Sequence, residues 1–390
     1  MNFLYYTSLA TLGLTLSSDG GLIPLREHVD IHWNFEVGDG WTCEAKTVTA
    51  GEDVFHEWSD VFLPLDDKPV AEGGQRREQP ASELFAFTGV EPGNPIWIAP
   101  QVQTGPNETW PGFNNYQSDG VFGSYQENDL RLAPEDQALS LPWIRVTYQG
   151  LSYQGSGQPA FSMWQTDSVG VPTVWFSTAD TQNPDTFLMT AGAHVHLNWG
   201  FGAQGIYRIR LTASAYLGPG KTNSTGESAV QIVTFAVGPF AQWQAVHFNG
   251  TELDDTTICG MAADPDADGM NNLLEYAFGF DPRNGRRTAV SSGLGLPVFS
   301  RETDGGIAYR VLEYARRRAG SLSSPTGYVA EFSDLKNAGG WQAAETESVE
   351  DFTGEKASLN TVWEKVRARR AIPAGQHAAG FGRVRVTQSD

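Results

Sequence analysis

At 390 residues the chain is long enough for two or three domains, and its abundant Gly (43), Pro (21) and aromatics (12%), with short alternating apolar runs between turn residues, point to an all-β, loop-rich extracellular architecture. The net charge of −20 is unevenly placed: residues 1–282 carry 10 basic against 34 acidic residues (−24), and residues 283–390 carry 16 against 12 (+4). So acidic a body repels a phosphate backbone, which excludes nucleic acid as a partner, and two cysteines are too few for a disulfide scaffold.

Residues 3–16 form an apolar run followed by Ser17, Ser18, Asp19, Gly20 and Gly21. This is the pattern of a secretory leader, too short to span a bilayer stably. Residues 1–21 are therefore expected to be a signal peptide, and the mature chain to be secreted or held at the cell surface. No later run is apolar enough for a transmembrane segment. In residues 25–36, Val29, Ile31, Trp33 and Phe35 alternate with His28, Asp30, His32, Asn34 and Glu36, the period-2 mark of a half-buried strand. The turn residues Gly38, Asp39 and Gly40 lead to a hairpin partner at 41–48. Residues 70–80 read as a loop, 85–101 as strand, turn, strand, and Trp110 to Phe113 as part of a long aromatic loop. Further strands are expected at 144–148, 161–167 and 173–177.

In residues 193–201, Val195, Leu197, Trp199 and Phe201 face one way, and His194, His196 and Asn198 the other. Strands at 207–213 and 230–237 complete the domain. No helical period appears in residues 22–238, so this part is expected to be a β-sandwich or a tandem of two. Phe240, Trp243 and Val246 then recur at helical spacing. Beyond Pro282 a Gly/Ser/Arg linker runs to about Gly295, and alternation at 307–314, 328–332 and 382–387 predicts a small separate β-domain over 283–390.

Two constellations carry chemistry. Asp264, Asp266, Asp268, Gly269 and Glu275 fit the D-x-D-x-D-G-x5-E spacing that wraps a chain around calcium. Three carboxylates come from alternate residues, Gly269 permits the sharp turn, Met270 offers its carbonyl, Asn272 stands where a water is often held, and Glu275 closes the shell. The alternative is a solvated acidic turn capping a short helix at 272–278. Asn271 replaces the aliphatic residue of paired EF-hands and there is no second such loop, so the expectation is one structural calcium clip in a helix–loop–helix connector, 239–282. Tyr276, Phe278 and Phe280 are its apolar plug against the neighbouring domains. Cys43 and Cys259 are either one bridge from the first domain to this module or two lone thiols.

The second constellation is His194-x-His196, two imidazoles on one strand face, with His28, Asp30 and His32 as a candidate second pair. Neutral imidazole suits zinc and copper. The competing reading is a polar face whose histidines bond to water. Enzyme signatures are absent: there is no Gly-x-Ser-x-Gly, no H-E-x-x-H after His56 and no Gly-rich phosphate loop, and in so acidic a chain no carboxylate pair stands out for a glycosidase.

Five ordered motifs now bear on a family: Arg26-Glu27-His28-Val29-Asp30-Ile31, Pro95-Ile96-Trp97-Ile98-Ala99-Pro100-Gln101, Trp110-Pro111-Gly112, Phe161-Ser162-Met163-Trp164-Gln165-Thr166-Asp167-Ser168 and His194-Val195-His196-Leu197-Asn198-Trp199. Together they resemble the choice-of-anchor M domain, the surface-anchored repeat of actinobacterial wall proteins, over roughly residues 22–238. The remainder resembles the C-terminal half of many secreted proteins of Verrucomicrobia and their relatives. The resemblance implies a secreted or envelope-associated protein without established enzymatic activity, in a family with some members linked to metal-ion ABC transporters. Residues 386–390 carry neither a sorting motif nor an apolar helix, which favours release or non-covalent attachment. The expected function is thus a non-enzymatic binding protein with a calcium site and a zinc or copper site at His28, Asp30, His32, His194 and His196. An alternative is an adhesive module that binds a glycan or envelope polymer through Trp97, Trp110, Phe113 and Tyr116, and a weaker one is a carboxylate hydrolase.

Overall fold

The computed structural model describes residues 20–105, 107–118, 120–180, 185–287, 293–318, 326–334, 340–373 and 380–388. The expected leader falls almost entirely outside them, as do parts of the 283–295 linker and of the last five residues. The chain is all-β and sandwich-like. One sheet runs in the order Ile23–Pro24, Val61–Leu65, Gln231–Val237, Gly205–Gly218, Trp143–Gln154, Thr186–Thr190. A second runs Pro172–Ser177, Phe161–Thr166, Asn198–Phe201, Pro95–Ala99, Arg76–Glu78, and a third His194–His196, Trp110–Asn114, His28–Glu36, Gly40–Thr49, Glu52–His56. The segment from His194 to Phe201 belongs to both the third and the second sheet, so these two form one layer opposite the first.

Alternation explains the layer. Val29, Ile31, Trp33 and Phe35 point into a hydrophobic cluster that extends from Leu25 to Val237. Aromatic rings bridge the layers: Phe113 lies 5.2 Å from Phe187, and Trp199 and Phe201 lie 5.4 and 4.8 Å from Phe235. Each such buried ring contributes about 1.5–3 kcal/mol relative to exposure. The other face of the first sheet is covered too. Helix Pro239–His247 follows Gly238, whose φ of 86° turns the chain out of the last strand, and it packs Ala241 and Ala245 with Phe62, Ile206 and Ala236. Cys43 belongs to the sandwich core and Cys259 to this second cluster, both as free thiols.

Two local expectations are corrected. Residues 83–88 form a 3-10 helix, not a strand, because Ser82 caps its start and Thr88 Oγ1 donates back to Phe85 O at 2.9 Å. Residues 70–80 contain the edge strand Arg76–Glu78, which has charged residues and no apolar alternation because only one of its sides is paired.

The calcium-motif helix, Asn272–Phe278, sits between this body and the C-terminal strands. Tyr276 meets Phe240 edge-on at 5.2 Å and carries the Arg317 guanidinium 3.8 Å above its ring, while Tyr328 donates its hydroxyl to Ala277 O at 2.8 Å. Beyond it, Val298–Asp304, Ile307–Arg317, Trp363–Ala371 and Thr346–Glu350 make a four-stranded sheet, and Gln342–Ala343, Thr326–Ser333 and Phe381–Gln388 a three-stranded one. Leu312, Tyr314, Ala330, Phe332, Val366 and Ala368 form their shared core. Among the described residues no helix is long and apolar enough to cross a membrane.

Candidate metal centre

Three strands set the site. Asp30 lies opposite Gly112 on the parallel neighbour, and Gly112 lies opposite His196 on the antiparallel one. Asp30, Gly112 and His196 are therefore one row across the sheet, with a residue lacking a side chain in the middle. A Cβ added at Gly112 would stand 2.7 Å from His196 Cε1 and 2.9 Å from Asp30 Oδ1. The missing methyl is what lets the flanking side chains converge. His28 joins from the start of its strand, just after Glu27, a non-glycine residue at φ 64° whose carbonyl accepts the Trp110 amide at 2.8 Å.

The donor atoms form a close cluster. His28 Nε2 is 3.1 Å from His194 Nε2 and 3.2 Å from His196 Nε2, and these last two are 3.2 Å apart. Asp30 Oδ1 is 2.9 Å from His194 Nε2 and 3.2 Å from His28 Nε2. Five of the six pairs are thus near-equal edges. A regular tetrahedron of that edge places its centre about 2 Å from each corner, the length of a zinc–imidazole bond. A square of donors around such a centre has two trans pairs about 4 Å apart, and any five pairs include at least one of them. None is present, so the donors do not form a square; the sixth pair, Asp30 with His196, lies within 4.8 Å and is the longest, which gives a four-donor set opened along one edge.

Electrostatics favour ligand-ready forms. Burial pulls His196 down to about 4, helped by the neighbouring imidazoles, so its ring is neutral near pH 7. Its Nδ1 lies 3.2 Å from Pro111 O, which can only accept; that bond keeps the proton on Nδ1 and leaves the Nε2 lone pair facing the cluster. Trp110 stacks on the same ring at 3.7 Å and 10°, with its Nε1 donating to Gln101 O at 3.1 Å. Asp30 is fully buried; burial raises its pKa, but the His28 hydrogen bond and the His28, His194 and Lys46 charges outweigh that and lower it overall.

Of the five sequence candidates, the structure brings together His28, Asp30, His194 and His196 and sets His32 apart. Asn114 is opposite both His32 and His194, and its Oδ1 pairs with His32 Nδ1 at 3.2 Å. His32 is packed between Phe55 and Tyr116 rings. Sharing a strand face was not enough, because His32 is four residues along the strand from His28 and Asn114 intercepts it. The contributions of Trp110 and Gly112 escaped the sequence reading, which took 110–113 for loop; the pairing of Trp110–Asn114 with two strands makes it a strand.

Of the second predicted set, the three aspartates come together. Asp264, Asp266 and Asp268 offer oxygens within 4.8 Å of one another. Asp264 accepts from the amides of Asp268 and Gly269 at 3.2 and 2.9 Å, and Ala267 and Gly269 turn the loop with φ of 58° and 88°. Glu275 is 1% exposed, and its Oε2 has no partner among the described residues. Burial, then the charges of Asp266, Asp268 and Asp264, push its pKa up to about 8. Asn272 uses its amide nitrogen on Ile258 O and Gly260 O, both at 2.9 Å, which ties the loop to the preceding helical turn, while Met270 buries its side chain beside Ala277 and Phe278.

The aromatics considered for sugar stacking do not form a platform. Trp97 and Phe113 are buried, Trp110 is covered on one face by His196, and Tyr116 is exposed.

No family model matches the chain, and comparison with curated proteins gives no match. Among solved structures there is a faint likeness to the CsuC–CsuE chaperone–tip adhesion subunit pre-assembly complex from archaic chaperone-usher Csu pili of Acinetobacter baumannii. It has 8% sequence identity and a TM-score of 0.14, covering 64% of this chain and 85% of that one. A score that low carries no argument about function.

Proposed function

We propose that this is a non-enzymatic secreted or cell-surface protein of the choice-of-anchor M type, which holds zinc at His28, Asp30, His194 and His196 and a structural calcium in the loop Asp264 to Glu275. The observation that carries the first part is the set of five donor separations between 2.9 and 3.2 Å. Four side chains from two strands distant in sequence bring three imidazole nitrogens and one carboxylate oxygen to the separations of a metal shell. Four nitrogen and oxygen donors that do not lie in a square favour zinc, whereas copper(II) prefers tetragonal sets. His194 is exposed at the rim, which gives the ion an entry path. For the second part, a buried carboxylate raised by three neighbouring carboxylates is a charge arrangement that a hard divalent cation relieves. The calcium segment contacts both the sandwich helix and the C-terminal strands, so the ion would stiffen their junction. The adhesive reading loses support because two of its four rings are in the core.

Elemental analysis of the purified chain without a His tag, beside His194→Ala/His196→Ala, tests this. The expected result is about one zinc and one calcium per chain, with zinc alone lost from the variant. A parent chain that takes up no zinc or copper even after soaking would overturn the transition-metal reading.

A further inference from the structure

Asp30 turns only Oδ1 toward the histidines. Its Oδ2 faces Asn114 Nδ2 at 3.4 Å and Lys46 Nζ at 3.7 Å. Lys46 is 6% exposed, an unusual place for an ammonium, and it sits directly across from Asp30 on the neighbouring strand. Asp53 holds it there through Oδ1 at 3.0 Å, and the other oxygen of Asp53 accepts the Tyr116 hydroxyl at 2.5 Å. A chain of polar groups thus runs from the surface to the far side of the ligand carboxylate.

A carboxylate with both oxygens free can grip an ion with two, which raises the coordination number and suits larger cations. One whose second oxygen is engaged by a buried cation offers a single oxygen. We propose that Lys46, backed by Asp53 and Tyr116, is a positioning residue that keeps Asp30 a one-oxygen ligand and the site four-coordinate, so that it selects zinc over larger divalent ions. This rests on the transition-metal reading above. Lys46 touches no ion; it acts through Asp30, as outer partners of metal ligands do.

The test uses the full chain with Lys46→Met, Lys46→Arg and Asp53→Asn. Cobalt(II) absorption reports coordination number, because four-coordinate sites absorb strongly in the visible and five-coordinate ones weakly. The ratio of zinc to cadmium affinity reports selectivity, and equal ionic charges remove the plain repulsion of Lys46 from the comparison. Lys46→Met is expected to weaken the cobalt band at least about twofold and lower the zinc-to-cadmium ratio about tenfold. Lys46→Arg should restore both, and Asp53→Asn should shift both in the same direction as Lys46→Met by less. If Lys46→Met does not fold, Asp53→Asn, altered at the exposed end of the chain of contacts, decides alone. A parent that binds cobalt in four-coordinate form while the folded variants match it in band and ratio overturns the role of Lys46 and leaves the metal reading standing. A parent that binds neither cobalt nor zinc removes both.

Discussion

A methyl group at Gly112 would stand under 3 Å from both His196 and Asp30, and neither has room to yield because Trp110 lies on one and the sheet encloses the other. Gly112→Ala is therefore expected to lower zinc affinity about 10–100-fold, as displacement of a ligand's support does. It should also cost about 1–3 kcal/mol of stability through overpacking. Competition against a chromogenic chelator, with a denaturant titration beside it, measures both; an unchanged zinc affinity in a folded variant would show that the donors do not converge over this residue. The same row explains the partition of the histidines. Asp30 and His196 flank a glycine, whereas His32 and His194 flank an asparagine that bonds to one of them.

Helix Asn272–Phe278 spans two turns, too short to be stable alone. Asn271 caps its start by accepting the Leu274 amide at 3.0 Å, and Gly279 ends it at φ 73°. Packing of Tyr276 and Phe278 supplies the rest, but at the same element Glu275 is buried near three carboxylates. Calcium is expected to reverse that repulsion: at 100-fold over its dissociation constant it stabilises the bound state by about 2.7 kcal/mol. Limited proteolysis should show residues 239–282 cut first in chelator and protected in calcium, with the sandwich intact in both. In Glu275→Gln the protection should disappear. Protection that is the same with and without chelator in the parent would refute the calcium clip.

Over the whole molecule, charge is divided by architecture. The acidic first 282 residues draw cations toward both candidate sites, and the C-terminal strands organise their arginines into ladders. Arg367 bonds to Glu302, Glu313 and Glu347, while Arg383 and Arg385 hold Glu331 at 2.7 and 3.2 Å. Burial draws the Glu331 carboxyl upward, but the two arginine hydrogen bonds outweigh it and keep it below the ordinary glutamate value. A carboxylate depressed on folding adds stability above its unfolded pKa and loses it as pH falls through the lower, folded one. The C-terminal domain is thus expected to loosen in acid, from about pH 4 downward. In Glu331→Gln that part of the acid dependence should be absent. Hydrogen exchange of 326–333 against pH measures it, and a parent and variant with identical profiles would show that the ladder does not contribute. These strands also mark where reading by pattern fell short. Trp363–Ala371 went unseen because Arg367, Arg369 and Arg370 obscure its alternation, although Val366 and Ala368 are fully buried.

Which way a side chain faces is a local matter, fixed by the two-residue period of an extended backbone, so alternation alone separates the apolar rows of the sandwich core from the opposite row of His194, His196, His28 and Asp30. Spacing likewise determined the acidic loop, because its carboxylates lie within one turn of chain. Register between strands distant in sequence is not local. That Gly112 falls between Asp30 and His196, that Asn114 claims His32, and that Lys46 reaches the back of Asp30 were decided only by the tertiary structure, through pairings that the packing of a common core selects among many that the pattern allows.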